Sequence, residues 1–480
     1  MTDLPDNNEA AVIGSGPNGL AAAIALARKG ARVTVFEARA TIGGAVRSEE
    51  LTLPGFIHDV CSSVYPMAIG SPFFRELPLQ KHGLEWAHPR IPLAHPLDGG
   101  EAAVLYRSVR ETADELGSDG TAYRSVMQPL ADRWDVFAEE ILGPMLHLPR
   151  HPILLARFGL NALQPVTWFA NGRFRGARAK ALFAGLAAHS FLPLDAPSSS
   201  AIGLVLGAAG HAVGWPFASG GSRNLSAALG RYLEALGGVV RSGTAVSDLQ
   251  SIGDKRAFFF DTSPRQLLDV CGKVLPVRYA KKLSRFKYGP GVFKIDYALS
   301  EPIPWAAEAC RKAGTIHVGG TIEEIRLAEA CVAHGAHPEH PFVLVGQPGT
   351  ADASRAPAGK HTAWAYCHVP NGSERDMTAL IEAQIERFAP GFRDVILARH
   401  SKNTAEFQRY NANLIGGEIN GGLASLAQLI ARPIFHSDPY RVPGRNIWLC
   451  SASTPPGGGV HGMCGWRAAC SALGTLKFDV

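Results

Sequence analysis

Residues Ala10–Glu37 read AAVIGSGPNGLAAAIALARKGARVTVFE. A short apolar run enters Gly14-x-Gly16-x-x-Gly19, and an alanine-rich helical segment follows to about Lys29. Gly30 ends that segment, and the run from Arg32 reads as a second strand closing on the acid Glu37. This is the strand–turn–helix–strand context that a dinucleotide-binding glycine motif requires. Gly14 permits the tight turn, Gly16 lets a pyrophosphate lie on the backbone, and Gly19 lets helix and strand pack closely. The helix N-terminus adds free N–H groups and partial positive charge for the phosphates. Glu37 stands where a carboxylate can hold both hydroxyls of an adenosine ribose. An acid there disfavours a 2′-phosphate, which argues against NADP.

Working outward, the chain has 480 residues, so two or more domains are expected. Hydrophobic residues make up 46% and charged residues 19%, the composition of a globular protein. A net charge of +5 without a long Lys/Arg run gives no footprint for nucleic acid. Eight cysteines are scattered with no CxxC pair and no zinc-like spacing. They read as reduced thiols of a cytoplasmic protein, unsuited to disulfide exchange. The amino-terminal MTDLPDNNEA has three acids and no base, the wrong charge for a targeting segment. The stretch Ser200–Ala218 is apolar over the length of a membrane span. It is rich in glycine, contains His211 and ends near Trp215-Pro216, so a buried helix beside a pocket is expected.

Six residues after Glu37 comes a second glycine turn, Gly43-Gly44, within EARATIGGAVRS. It would help the chain follow an extended cofactor. Around Gly220 another turn leads into a helix with Leu225, Leu229, Leu233 and Leu236 at helical spacing. Gly237-Gly238 stops it, and VVRSGTAV is a strand candidate. Near the carboxyl end, the strand-like NIWLCSAST runs into PPGGGVHGMCG (Pro455–Gly465), and a last helix is expected from about Gly462.

VIGSGPNGLAAA with VFEARATIGGAVRS resembles the amino-terminal signature of FAD-dependent amine oxidases and phytoene desaturases. YGPGVFKIDYALSEPIPWAA, NLIGGEINGG and GGGVHGMCGWRAA resemble the phytoene dehydrogenase-like branch, which includes carotene ketolase relatives. The amine oxidase branch carries an arginine directly after the paired glycines. Here Ala45 stands there, with the first arginine at Arg47. The resemblance implies FAD as cofactor, held by Gly14, Gly16, Pro17, Asn18, Gly19, Glu37, Ala38, Gly43, Gly44 and Ala45. It further implies the backbone near Val246 at the adenine, and Ser453, Gly458, Gly459, Val460, His461, Gly462 and Met463 along the isoalloxazine ring. The carboxy-terminal helix would point its positive end at the ring and favour the reduced flavin. On this reading its glycines are there because a side chain would strike the ring.

The implied architecture is α/β. A discontinuous Rossmann-like FAD-binding domain (residues 1–75, 214–275 and 436–480) is interleaved with an α+β substrate domain (76–213 and 276–435). The implied activity is hydride transfer from a C–H bond of a small apolar, isoprenoid-like or cyclic substrate to flavin N5, of the desaturase or dehydrogenase type. A flavin amine oxidase and a non-catalytic flavin-binding scaffold remain as alternatives. No second glycine fingerprint holds NAD(P)H, so dioxygen, a quinone or a carrier is expected to accept the electrons. His461 and Tyr366 are the candidates for proton handling, with His361 and Glu418 behind them. Trp305 and Trp364 could line an apolar cavity, and Cys464 reads as a buried thiol. Finally, residues 141–194 contain no acid but include Arg150, Arg157, Arg173, Arg175, Arg178 and Lys180 among Leu, Phe and Trp168. That segment is either a peripheral contact with anionic lipid or an ordinary basic face of the substrate domain.

Overall fold

A computed structural model describes residues 8–476. Residues 1–7 of the acidic amino-terminal stretch read above against a targeting segment lie outside the described residues. Strand β1 (Glu9–Ile13) runs into helix α1 (Pro17–Ala27), and β2 (Arg32–Phe36) follows. The local causes are visible. Pro17 occupies the first turn of α1, where its missing N–H is no loss. Alanine and leucine carry the helix, and Gly30 turns the chain at φ +79°.

β1 pairs in parallel with β2 on one side and with Ala257–Phe260 on the other, Ile13 lying opposite Phe36 and Phe260. Val239–Arg241 and Ile447–Leu449 extend the parallel sheet outward. Arg441–Val442 adds an antiparallel edge, making six strands. All six come from the three chain segments assigned above to the nucleotide domain. Helices Arg223–Ala235 and Met463–Thr475 flank α1 on one face of this sheet. The other face is covered by a cluster built around Phe258, Phe260, Leu267 and Leu449.

A second, seven-stranded sheet takes its strands from the intervening segments. Its order is Ile396–Lys402, Gly291–Leu299, His361–Val369, Val343–Gly346, Ala313–Val318, Ile91–Pro96 and Ala102–Leu105. Its pairs are antiparallel except Ala313–Val318 with Ile91–Pro96. Strand alternation sorts its side chains between two cores. Leu93, Leu344 and Trp364 face helices Ala177–Ala188 and Ser200–Ala212, while Val343, Val345 and Ala365 face helix Thr378–Phe388. Ser200–Ala212 is the body of the stretch read as a buried helix. Among the described residues no helix is long and apolar enough to cross a membrane.

Candidate active site

One cavity of about 640 Å³ joins the two sheets. At one end lie the α1 turn (Ile13–Asn18), Phe36–Arg39 and Gly44–Arg47. Thr244–Val246 line the same end, and Ser451–Ser453 with Pro456–Val460 close its middle. The other end lies under the seven-stranded sheet, against Ile202, Val205, Leu206, Trp215, Leu344, Trp364 and Tyr366. Segments more than four hundred residues apart in sequence therefore wall one space.

The two amino-terminal glycine turns touch. Gly43 N–H donates to Ser15 O at 3.0 Å, and a Cβ on Gly44 (φ +59°) would come 3.0 Å from Gly16 Cα. Glu37 is buried at the end of β2 and lines the cavity. Its Oε2 accepts from Ser15 N–H (3.1 Å) and Ser15 Oγ (2.5 Å), and its Oε1 from Arg39 N–H at 2.9 Å, with Arg47 Nη2 at 3.2 Å. These donors meet all four acceptor positions of the carboxylate. Ribose hydroxyls would reach it only by displacing one of them, and the rotatable Ser15 hydroxyl would be the cheapest to move. Arg47, the first arginine after the paired glycines, also donates to Gly44 O (2.8 Å) and Thr41 O (2.7 Å), so it ties the second turn to Glu37.

Asp261 carries no signal in the sequence. It follows the strand Ala257–Phe260 and is brought beneath the α1 turn, where its Oδ2 accepts from Gly19 N–H at 2.9 Å. A Cβ on Gly16 would stand 2.4 Å from that oxygen, and one on Gly19 2.2 Å from Gly14 O. Burial, with the charge of Glu37 adding to it, pushes this carboxyl up to about 7, against the lowering effect of the Gly19 and Gly16 N–H groups.

The carboxy-terminal turn is arranged differently from the expectation. Gly458, Gly459 and Val460 line the cavity, but His461, Gly462 and Met463 do not. His461 is buried, and its Nδ1 accepts from Met463 N–H at 3.0 Å, capping the last helix. Burial lowers its imidazole to about 4, so the ring is neutral. The glycines here answer first to protein neighbours. A Cβ on Gly458 would sit 2.7 Å from Asn420 O, on Gly462 2.3 Å from the Phe74 ring, and on Gly465 1.8 Å from Asn18 O. Close packing against the Phe74 ring at Gly462, and against the α1 backbone at Gly465, thus accounts for these two glycines without a bound ring. Cys464 is buried with its thiol pushed up to about 11, chiefly by burial.

Of the other candidates, Tyr366 lines the cavity, stacked on Trp364 with ring centroids 6.0 Å apart. Burial holds its hydroxyl far above the ordinary phenol range, hence neutral. Trp364 donates to Ser63 Oγ at 3.0 Å, whereas Trp305 is a core residue donating to Gln347 Oε1 at 2.9 Å. His361 does not reach the cavity. Glu418 is fully buried behind the wall, its carboxyl pushed up to about 7 by burial, and accepts from Gly422 N–H at 2.7 Å. Beside it the buried Arg432 donates to Gly421 O (2.7 Å) and Ala452 O (2.8 Å), clamping two cavity-lining loops together. His189 also faces the cavity. Its Nε2 shares a proton with His317 Nε2 across 2.9 Å, and burial lowers its imidazole to about 3, with His368 adding to the effect. Thr315 Oγ1, in the same wall, is buried without a partner among the described residues.

The cradle suits an FAD on three counts. It runs from the glycine turn of α1 to a glycine turn near the chain's far end, the Glu37 carboxylate lines it where the resemblance implies a ribose, and Asn18 Oδ1 and Thr262 Oγ1 on its wall have no partner among the described residues. The comparisons agree. An NAD(P)-binding Rossmann-like domain family matches residues 12–77. The chain is 27% identical over 571 aligned positions to pyridine nucleotide-disulfide oxidoreductase domain-containing protein 2 of Mus musculus, covering 99% of this chain and 94% of that protein. It is 30% identical over 105 positions to a limonene dehydrogenase polypeptide of Castellaniella defragrans, covering 22% of this chain and 19% of that one. Among solved structures, an oxidoreductase from Methanosarcina mazei superposes with a TM-score of 0.64 at 15% identity, over 97% of this chain and 100% of its own. Putrescine oxidase bound to putrescine gives 0.61 at 16%, over 97% and 99%. The chain therefore carries a Rossmann-like dinucleotide-binding domain of the FAD type, in the fold that those oxidoreductases share.

Proposed function

We propose that the protein is an FAD-dependent oxidoreductase that takes a hydride from a C–H bond of an apolar, isoprenoid-like or cyclic substrate. The observation that carries this is the single cavity, polar and glycine-lined at its nucleotide end and walled by Val205, Leu206, Trp215, Leu344 and Trp364 at the other. The bound flavin supplies the hydride acceptor. The chain's own residues hold the substrate against the glycine turn and keep water out. In a desaturation the hydride leaves one carbon with its bond pair. A proton leaves the adjacent carbon, whose bond pair becomes the new π bond. His189, neutral and facing the cavity, is proposed to accept that proton, and Tyr366 and Thr315 offer neutral hydroxyls beside the path. The electrons then pass to dioxygen, a quinone or a carrier.

The amine oxidase reading fits this wall less well. Among the described residues, the only acids lining the cavity are Glu37 and Asp261, both at the nucleotide end, so nothing anionic faces a cationic amine near the apolar end. The part-length likeness to the limonene dehydrogenase polypeptide supports hydride removal from a terpenoid-like molecule. The test is the visible spectrum of the purified protein, recorded anaerobically with apolar alkenes, cyclic ketones and amines, then after air. Flavin bands that bleach with the apolar compounds are expected. Bleaching by amines alone would replace this reading with the amine oxidase one, and bands that no donor bleaches would leave a scaffold.

A further inference from the structure

Seven of the fifteen large hydrophobic side chains exposed among the described residues fall between Met145 and Trp168. Leu148 is 93% exposed, Ile153 76%, Leu160 73% and Trp168 74%. They are not scattered. On helix Pro152–Ala162, Ile153, Ala156 and Leu160 share one face, continued by Leu163, and that face is open to solvent. Leu154 and Ala162 point the other way, into the core. A surface helix of a free-standing domain shows the opposite arrangement, polar outward. Leu146 and Leu148 on the preceding loop and Trp168 on the next helix (Val166–Arg173) add to the same 24-residue stretch.

Every Asp, Glu, Lys or Arg within residues 145–175 is an arginine, and the acids stand at the edge of the patch. Arg157, Arg173 and Arg175 are exposed, as is Arg150, whose guanidinium is 3.7 Å from Glu139. Arg173 donates to Asn161 Oδ1 at 2.9 Å, and among the described residues no carboxylate pairs with it. The nearest acids in sequence, Glu139, Glu140 and Asp195, lie outside residues 141–194. Glu140 is buried against His147, Asp195 is paired with Arg326 and accepts from Thr167 Oγ1 at 2.7 Å, and the buried Asp119 accepts from the Arg175 and Gly176 N–H groups.

We propose that residues 145–175 form a docking surface for a bilayer containing anionic phospholipid. The apolar face of Pro152–Ala162 would lie in the interface, with the arginines at headgroup level. Charge complementarity selects this occupant. Leucine, isoleucine and tryptophan enter the acyl boundary, and arginine meets phosphate, as in helices that lie in the membrane plane. The placement is also useful. Helix Ser200–Ala212 supports Pro152–Ala162 from behind and lines the cavity with Ile202, Val205 and Leu206, so the patch is one helix from the apolar end. The surface stands on exposure and charge, independently of the flavin reading.

The test is flotation of the full-length protein with vesicles of phosphatidylcholine alone or with about 30% phosphatidylglycerol, at low and high salt. Binding to the anionic vesicles, weakened by salt, is expected. Leu148→Ser/Leu160→Ser/Trp168→Ser and Arg157→Glu/Arg173→Glu should each lower the partition coefficient by about tenfold or more. Thermal midpoints should hold, because all five side chains are exposed. Failure to float with anionic vesicles would overturn the proposal, as would equal binding by wild type and both variants. Sedimentation velocity covers the other occupant: a dimer that the apolar variant splits, without vesicle binding, would assign the face to a second copy of the chain.

Discussion

Gly465→Ala adds one methyl group at the point where the end of the chain meets its beginning. The new Cβ would stand 1.8 Å from Asn18 O, 2.7 Å from Asn18 C and 2.9 Å from Ala22 N. All three are backbone atoms of α1, so no rotamer change relieves the clash. The helices must part by more than 1 Å for ordinary contact at about 3.5 Å. Overpacking of this kind costs about 1–3 kcal/mol, and here the shift is transmitted to a rigid helix. Alanine's better helix propensity returns at most about 1 kcal/mol. A net loss of about 2 kcal/mol follows, roughly 2 °C or less in melting midpoint for a chain this long by the size scaling of unfolding entropy. The larger effect falls on cofactor retention, because Asn18 and Pro17 line the cavity and move with α1. The assay is thermal unfolding together with the flavin-to-protein absorbance ratio after desalting. Gly474→Ala is the control. It lies in the same helix, exposed, with nothing within 4 Å of its Cβ position, and should be neutral or slightly stabilising. If Gly465→Ala matched that control in both stability and flavin content, the packing account of the carboxy-terminal glycines would be wrong.

Asp261→Asn keeps an acceptor for Gly19 N–H but removes a carboxyl whose folded value is raised from 3.8 to about 7. Such a group supports the fold fully below 3.8 and loses that support as pH rises through 7, so the variant should gain stability over wild type from acid to neutral pH, by on the order of 4 kcal/mol, read as diverging denaturation midpoints. Arg432→Met leaves Gly421 O and Ala452 O without their donor and Glu418 without its cation. A loss of about 3 kcal/mol in urea unfolding is expected, with lower flavin occupancy, and an unchanged midpoint would rule out the clamp. His189 is already neutral above about 3, so the rate of flavin reduction should stay within about threefold between pH 5 and 9, while His189→Gln should slow it by about tenfold or more at unchanged flavin content. A rate climbing tenfold per pH unit through neutrality would remove His189 from the proton-accepting role.

These residues also mark how far the sequence could be read. β1, α1 and β2 were legible because their causes are local: Pro17 at the first turn, Gly30 after the last, and an acid closing the second strand. The carboxy-terminal strand and helix were legible in the same way. The purpose of their glycines was not, because Asn18, Asn420 and Phe74 reach them only through tertiary packing. Asp261, Arg432 and His189 stand in no motif. Each gains its role from a neighbour that the chain alone does not announce: Gly19, 242 residues away from Asp261, or His317, 128 residues from His189. The helix Pro152–Ala162 shows the converse. Its apolar periodicity is what a core-facing helix has, and the sequence cannot say which way the stripe points. The fold points Ile153 and Leu160 outward while Leu154 fills the interior. Periodicity determines that a helix has an apolar face, and only the surrounding chain determines whether that face is spent on the core or kept for something outside it.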